Sequence, residues 1–435
     1  MTDLCITNAR IVTGDAAGTQ LTGAIAVTGG RIDALIPAGA PLPRAARMID
    51  AKGAILAPGL VNTHCHAPDS LFRGLVEDLA LEPWLQTVWK AEGAILSPET
   101  CRIGARLGFA ELALSGVTSV VDMFWFPEQS ALAGGEIGLR TSAGGAWFDL
   151  PMGMDGKGPG DRAAMCEGFF DAFPRTDMMI PGIFPHGAYT VGPEGLQHAH
   201  AISTAHGGLY SVHAAETLAE VEDIKTRYGA TVIRHMDALG ILDERTILAH
   251  CVHVDDEEIA ILARTGAAVA HNPVSNLKLG SGIARIPDML AAGVRVTLGT
   301  DGAISGNDID MWLAMRLAAM LHKGANRAPT AVTTRQALHM ATQAGADAMG
   351  IGAIAGSLEV GKQADMMLVD MSRPHAVPMF DALTHLIYSA NKSDVTDVWV
   401  GGRRIVEDRT LTSFDIEPTL TAVRDLAPKI AATIA

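Results

Sequence analysis

The stretch PGLVNTHCH, residues 58–66, reads as a buried strand that carries two imidazoles to one point. Successive side chains on a strand face opposite ways, so His64 and His66 share a face while Cys65 points away from it. The apolar run AILAPGLVN suits a strand covered on both faces, as in a parallel sheet, and Pro58-Gly59 marks the entry from another structural unit. Two neutral imidazoles side by side make half of a zinc-type site. Ordinary strand histidines give the same pattern, so the meaning of the pair depends on what the rest of the chain brings to it.

Downstream, short apolar, β-branched segments alternate with helical ones, at residues 116–124, 140–150, 178–189, 208–216, 246–252, 267–273 and 294–302. PETCRIGARLGFAELALSG and PDMLAAG are examples of the helical segments, the second closing on a glycine. With the strand ending at His66, the β segments make eight βα units in about 300 residues, which predicts an α/β fold with a (β/α)8 TIM-type barrel over residues 58–357. On the N-terminal side, residues 4–12, 24–28 and 31–36 read as strands with a hairpin at Thr28-Gly29-Gly30. After residue 357, ADMMLVDM and VTDVWVGGRRIVED return to that texture. Residues 1–57 and 358–435 are therefore expected to build one small β-sandwich domain around the inserted barrel, with a C-terminal helix broken at Pro428.

The chain has 435 residues, 48% of them hydrophobic, enough for a large core and a smaller one. A formal net charge of −15 and the absence of any basic patch speak against nucleic acid or an anionic membrane as partner. No signal-peptide core and no run of about 18 uncharged apolar residues occurs, so a cytoplasmic protein is expected. The five cysteines are scattered without a CxxC pair and read as small buried hydrophobes. Residues 153–162, GMDGKGPGDR, form one loop rich in glycine and charge, suited to a lid and equally to plain surface.

Catalytic residues of such a barrel stand at the C-terminal ends of its strands, and metal-type residues recur at those places. Strand one ends in His64 and His66, strand four in His186, strand five in His213 followed by Glu216, strand six in His250, strand seven in His271-Asn272, and strand eight in Asp301. His64, His66, His213 and Asp301 read together as a metal-binding group. His253, His271 and His322 read as structural histidines.

PGLVNTHCH, HAAE, LAHCVH, HNPVSNLKLGSG and LGTDG, in this order, resemble the amidohydrolase superfamily over almost the whole chain. The resemblance is to its aminohydrolase branch, which holds S-adenosylhomocysteine/methylthioadenosine, guanine and cytosine deaminases and triazine hydrolases. THCHAPDSLFRGLVEDLALEPWL and NPVSNLKLGSGIARIPDML look most like the S-adenosylhomocysteine/methylthioadenosine deaminases.

That resemblance implies one divalent metal on His64, His66, His213 and Asp301, with zinc first and iron or manganese as alternatives. Binuclear members use a carboxylated lysine from strand four, and here that strand reads IFPHGAY without a lysine. The metal lowers the pKa of bound water from about 16 to about 7, giving a hydroxide that attacks the amino-bearing ring carbon of an adenine nucleoside and releases ammonia. Asp301 is implied to take the water proton, Glu216 to pass a proton to the neighbouring ring nitrogen, and His250 to orient the hydroxide. For the substrate, the resemblance implies His186 at a purine nitrogen, Glu92 at the ribose hydroxyls and Trp84 as a pocket wall. S-adenosylhomocysteine deaminases place an arginine near the end of strand three for the amino-acid carboxylate, whereas this chain reads TSAGGAWFD, leaving Arg162 as the candidate contact. An alternative reading keeps the metal site and changes the ring to guanine or another oxidised purine, a pterin or a triazine. The partner is thus expected to be a small aminated heterocycle or nucleoside, and homo-oligomers are common among relatives.

Overall fold

The computed structural model describes residues 2–79 and 81–434. The N-terminal strands are β1 (Thr2–Val12), β2 (Gln20–Thr28), β3 (Arg31–Pro37), β4 (Ala45–Asp50) and β5 (Ile55–Pro58). Thr28 pairs with Arg31 across the expected hairpin, whose two glycines take φ values of 58° and 75°. β5 stops at Pro58 and β6 (Leu60–His66) starts one residue later in a different sheet. The hinge between them is Gly59, where a Cβ would meet Thr118 Cγ2 at 2.1 Å.

From β6 the chain enters a parallel barrel of β7 (Val117–Asp122), β8 (Arg140–Trp147), β9 (Gly182–Pro185), β10 (Leu209–Ala214), β11 (Thr246–His250), β12 (Ala268–His271), β13 (Val296–Leu298) and β14 (Asp301–Gly302). Every residue of β7 to β12 is buried, which is why these strands read as apolar runs rather than as alternating ones. Neighbours pair in chain order, and β14 returns to β6 with Asp301 opposite Cys65, so the barrel closes. The eighth strand, expected as one segment over 294–302, is split. Thr300 N–H leaves the β13 ladder and donates to His64 O at 3.1 Å, and a Cβ on Gly299 would lie 2.8 Å from His64 Cβ, so only glycine lets the chain pass this close.

The helices that matter for the site are α1 (Leu81–Ile95), α2 (Pro98–Leu114), α3 (Pro127–Ile137) and α4 (Arg162–Ala172). α2 starts at a capping box made by Ser97 and Thr100, with Pro98 in the first turn. The segment 287–293 helps form the helix Ile286–Ala291, and Gly293 follows it with φ 82°.

The chain returns to the first sheet through β15 (Met366–Val369), β16 (Val395–Val400), β17 (Arg403–Glu407) and β18 (Thr410–Leu411). β15 lies antiparallel to β5, joining the two chain ends in one nine-stranded sheet. The sandwich arises because β1 pairs with β4 along its first half and with β5 along its second, so the sheet branches and closes on Ile6, Ile11, Ile25, Leu56, Met366 and Trp399. Arg140 of β8 is fully buried and bonds both carboxylate oxygens of Asp365, tying barrel to sheet. The C-terminal helix Glu417–Ala431 runs through Pro428 instead of breaking there, and Ile430 beyond it is anchored in the cluster that α1 buries. No helix among the described residues is long and apolar enough to cross a membrane.

Candidate active site

The strand ends bring the expected residues to one point. The His64 ring lies 4.8 Å from those of His66 and His213 and 5.5 Å from that of His250. His66 Nε2 is 3.1 Å from Asp301 Oδ1 and 3.3 Å from His213 Nε2, and His64 Nε2 is 3.4 Å from the same Asp301 oxygen. His64, His213, His250 and Asp301 each offer a ligand atom, all within 4.8 Å of one another. Four imidazoles and one carboxylate thus converge, one donor more than a tetrahedral ion takes.

Neighbouring groups fix the tautomers. His66 Nδ1 donates to Met123 O and His213 Nδ1 to His186 O, each at 2.5 Å, and His250 Nδ1 donates to Asn276 Oδ1 at 2.8 Å. Each Nε2 lone pair is left facing the centre. His64 is completely buried and neither ring nitrogen has a hydrogen-bond partner, a cost that a cation at the centre removes. Donors at about 2.0–2.1 Å from a tetrahedral zinc stand about 3.3–3.4 Å apart, close to the His66–Asp301, His66–His213 and His64–Asp301 separations. Electrostatics agree. Burial pushes His64 down to about 4 and acts to lower His66 too, yet the Asp301 carboxylate raises His66 to about 10. Burial acts to raise Asp301, but its close contacts with the His64 and His66 rings hold it well below the ordinary carboxylate range. The carboxylate draws positive charge inward, and a divalent cation answers the same pull. The centre is a His/His/His/Asp metal-binding site.

The backbone is bent to aim these groups. Ala215, His250, Cys251 and Asp301 all have positive φ, between 45° and 76°, an uncommon conformation for non-glycine residues that clusters where geometry is functional. Cys65 and Cys251 turn into the apolar core, away from the centre. His271 and His322 face each other at 3.3 Å, and His253 bonds Ser281 O at 2.7 Å, so none of the three enters the metal group.

Residues 55–405 match the model of the amidohydrolase family. The chain belongs to that family. Among its relatives, a 5-methylthioadenosine/S-adenosylhomocysteine deaminase of Dictyoglomus thermophilum is 41% identical over 85% of this chain and 86% of its own. A 5′-deoxyadenosine deaminase of Methanosarcina mazei is 37% identical over the full length of both. The structure of a zinc-bound adenosine deaminase from Xanthomonas campestris superposes with a TM-score of 0.96 at 33% identity, covering 99% of each chain.

In this amidohydrolase, a cleft of about 770 Å³, open mouth included, leads to the centre. His66, His186, His213, Glu216, His250 and Asp301 line it, as do Trp84 and Glu92 from α1. Glu216 Oε2 is 3.7 Å from His250 Nε2, and Ser281 Oγ donates to Glu216 Oε1 at 3.3 Å. Burial raises Glu216 above the usual carboxylate value, the nearby His250 opposing. Burial also pushes Glu92 up to about 8 and His186 down to about 3. The Trp84 indole Nε1 is buried and unpartnered, a donor available to a ligand.

Arg162 does not join them. It opens α4, fully buried behind the pocket wall, where both carboxylate oxygens of Asp155 and the carbonyl oxygens of Ala146 and Lys157 hold its guanidinium. The expectation of a loop cation reaching over the pocket is corrected on that ground. The carboxylate seven residues earlier captures the arginine, and the loop closes so tightly that a Cβ on Gly153 would lie 2.3 Å from Arg162 Nη2.

Four supporting residues went unread in the sequence. Ser305 Oγ donates to Asp301 Oδ2 at 2.9 Å, and Asn276 orients His250. Glu220 pins the turn under Glu216 by accepting the N–H groups of Ala215 and Glu216 at 3.1 and 2.7 Å. Thr217-x-x-Glu220 is a capping-box pattern and was open to notice. Asp69 lines the pocket and accepts the Ala303 N–H at 2.8 Å, and a Cβ on Gly302 would strike Asp69 Oδ2 at 1.7 Å. Its clue was an acid three residues after His66 in place of a further apolar side chain.

Proposed function

We propose that this amidohydrolase is a hydrolytic deaminase of an adenine nucleoside, using one zinc ion held by His64, His66, His213 and Asp301. The observation that carries the reading is the placement of Glu216 and Asp301 on the rim of one His/His/His/Asp centre, in a pocket that also holds His186 and Glu92. The deaminase names of the relatives support it.

The geometry supports leaving His250 out of the ligand set. Its Nε2 has a second neighbour, Glu216 Oε2 at 3.7 Å, whereas His64 and His66 face the Asp301 oxygen that the ion would share. A divalent ion there supplies Lewis acidity that brings the pKa of water from about 16 to about 7. Asp301, steadied by Ser305, takes the proton that the attacking water gives up and passes it to the departing amino group. Glu216, buried and raised, carries a proton to the ring nitrogen beside the attacked carbon. His250, oriented by Asn276, holds the attacking water by accepting a hydrogen bond from it at Nε2. Glu92 is a carboxyl in an apolar wall, and sugar hydroxyls are donors that suit it. Water adds, the carbon–nitrogen bond breaks, and ammonia leaves.

Five free, buried cysteines and the acidic charge support a cytoplasmic setting. Ammonia release from the zinc-loaded protein, screened across adenine nucleosides, guanine, pterins and triazines, tests the reading. Release from an adenine nucleoside is expected, and release only from another ring would refute it.

A further inference from the structure

Three of the four donors sit on one seam of the barrel. His64 and His66 end β6, and Asp301 opens β14, which closes on β6 through two residue pairs, Asp301 with Cys65 and Gly302 with His66. A ladder of two pairs fixes little by itself, and Asp301 also has a φ of 61°, which a non-glycine residue keeps only when its surroundings impose it. Those surroundings come from β6 and the turn that follows it. Ahead of Asp301, Asn62 Oδ1 accepts the Thr300 N–H at 3.2 Å and Asn62 Nδ2 donates to Thr300 Oγ1 at 2.7 Å. Behind it, Asp69 of the 3-10 turn Ala67–Phe72 reaches across the seam, where its Oδ1 accepts the Ala303 N–H at 2.8 Å. Asp69 is 3% exposed, and its carboxyl lies flat against the chain: the three atoms nearest to a Cβ on Gly302 are Asp69 Oδ2 at 1.7 Å, Cγ at 2.6 Å and Oδ1 at 2.9 Å. Gly302 has φ −82° and ψ 159°, extended backbone that any residue adopts, so the Asp69 carboxyl and not the backbone is what demands glycine there.

Resting on the roles given to Asp301 above, we propose that Asp69 is a positioning residue for the reaction: its carboxyl clamps the turn after Asp301 and so sets the direction of the Asp301 oxygens. It works as a hydrogen-bond acceptor and as a steric stop, through Asp301 rather than by touching the substrate. Asn62 holds the residue before Asp301 and Asp69 the two residues after it, which leaves the strained residue no room to relax. Without the Asp69 carboxyl the buried Ala303 N–H loses its acceptor and the turn is free to shift. A misplacement of about 1 Å in a group that serves the chemistry costs about 10²-fold in rate.

The test measures zinc affinity of the stripped protein, by competition with a chromophoric chelator, and kcat and KM of the zinc-loaded protein for 5′-methylthioadenosine. The parent is compared with Asp69→Ala, Asp69→Asn, Gly302→Ala and the Asp69→Ala/Gly302→Ala double variant. Asp69→Ala is expected to weaken zinc binding and to lower kcat, each tenfold or more, with KM within threefold of the parent. Asp69→Asn keeps the acceptor and is expected to recover at least fivefold of each loss. Gly302→Ala pushes the carboxyl away from the other side and is expected to weaken zinc binding tenfold, yet to cost less than threefold when added to Asp69→Ala, because the group it strikes is then gone. If Asp69→Ala fails to fold, Gly302→Ala read against the parent carries the comparison. Zinc affinity unchanged in Asp69→Ala or Gly302→Ala, an equal cost of Gly302→Ala with and without the carboxyl, Asn as damaging as Ala, or a loss confined to KM would each overturn the inference. No ammonia from the parent would refute the deaminase reading, and the zinc measurements would still decide this one.

Discussion

Replacing Glu216 by glutamine separates proton transfer from everything else this side chain does. Glutamine keeps the size and the Oε1 acceptor that Ser281 uses at 3.3 Å. The turn beneath it is held by Glu220 through the backbone, not by the Glu216 side chain. Glu216 Oε2 stands 3.7 Å from His250, outside the cluster of donors spaced 3.1 to 3.4 Å apart, so metal binding should not change. What disappears is a buried carboxyl able to take up and release a proton. General acid–base groups contribute about 10²–10⁴-fold, or about 2.7–5.4 kcal/mol of barrier, and a fall of that size in kcat is expected. The assay is coupled ammonia release at saturating substrate, with metal measured on the same samples. A rate within threefold of the parent would remove Glu216 from the mechanism, and loss of the metal would show it to be a ligand.

His66→Asn should lose metal and activity together, whereas His250→Asn should keep one metal per chain and lose turnover; elemental analysis giving the reverse would exchange the two roles. Asp365→Asn strips the carboxylate from the fully buried Arg140, and breaking such a pair costs about 3–5 kcal/mol, so the urea midpoint should fall clearly while metal content holds. Glu136 is held down to about 2 by hydrogen bonds from Arg106 and Arg102 against its partial burial. A folded value below the unfolded one, about 4.3, means its stabilisation is complete above pH 4.3 and lost as pH falls toward 2. The melting-temperature gap between the parent and Glu136→Gln should therefore be constant near neutrality and shrink below pH 4.3; a gap that widens on acidification would contradict the pairing.

The barrel and its metal group were legible because each strand end repeats the same message. Buried parallel strands read as short apolar runs, and the histidines and Asp301 close those runs. The ligand atoms themselves were not legible. The break between β13 and β14, where Thr300 N–H bonds His64 O of β6, and the positive φ at His250, next to Cys251 N–H bonded to Ala214 O of β10, go with contacts to distant strands, which no local pattern encodes. Arg162 misled because a loop rich in glycine and charge suggests exposure, while its real surroundings depend on Asp155 folding back onto it. Pro428 misled for the opposite reason: a local breaker is overruled where Ile430 beyond it gains a buried contact. The α1 wall, with Trp84 and Glu92, was found through the resemblance, since a helix facing a cleft and a helix facing a core carry the same apolar spacing.

The most direct measurement is a metal titration of the stripped protein with ammonia release followed at each step. Activity on an adenine nucleoside should be absent without metal, rise in proportion to added zinc, and stop rising at one equivalent per chain. Full activity in the stripped protein, or a plateau only at two equivalents, would contradict a single catalytic ion on His64, His66, His213 and Asp301.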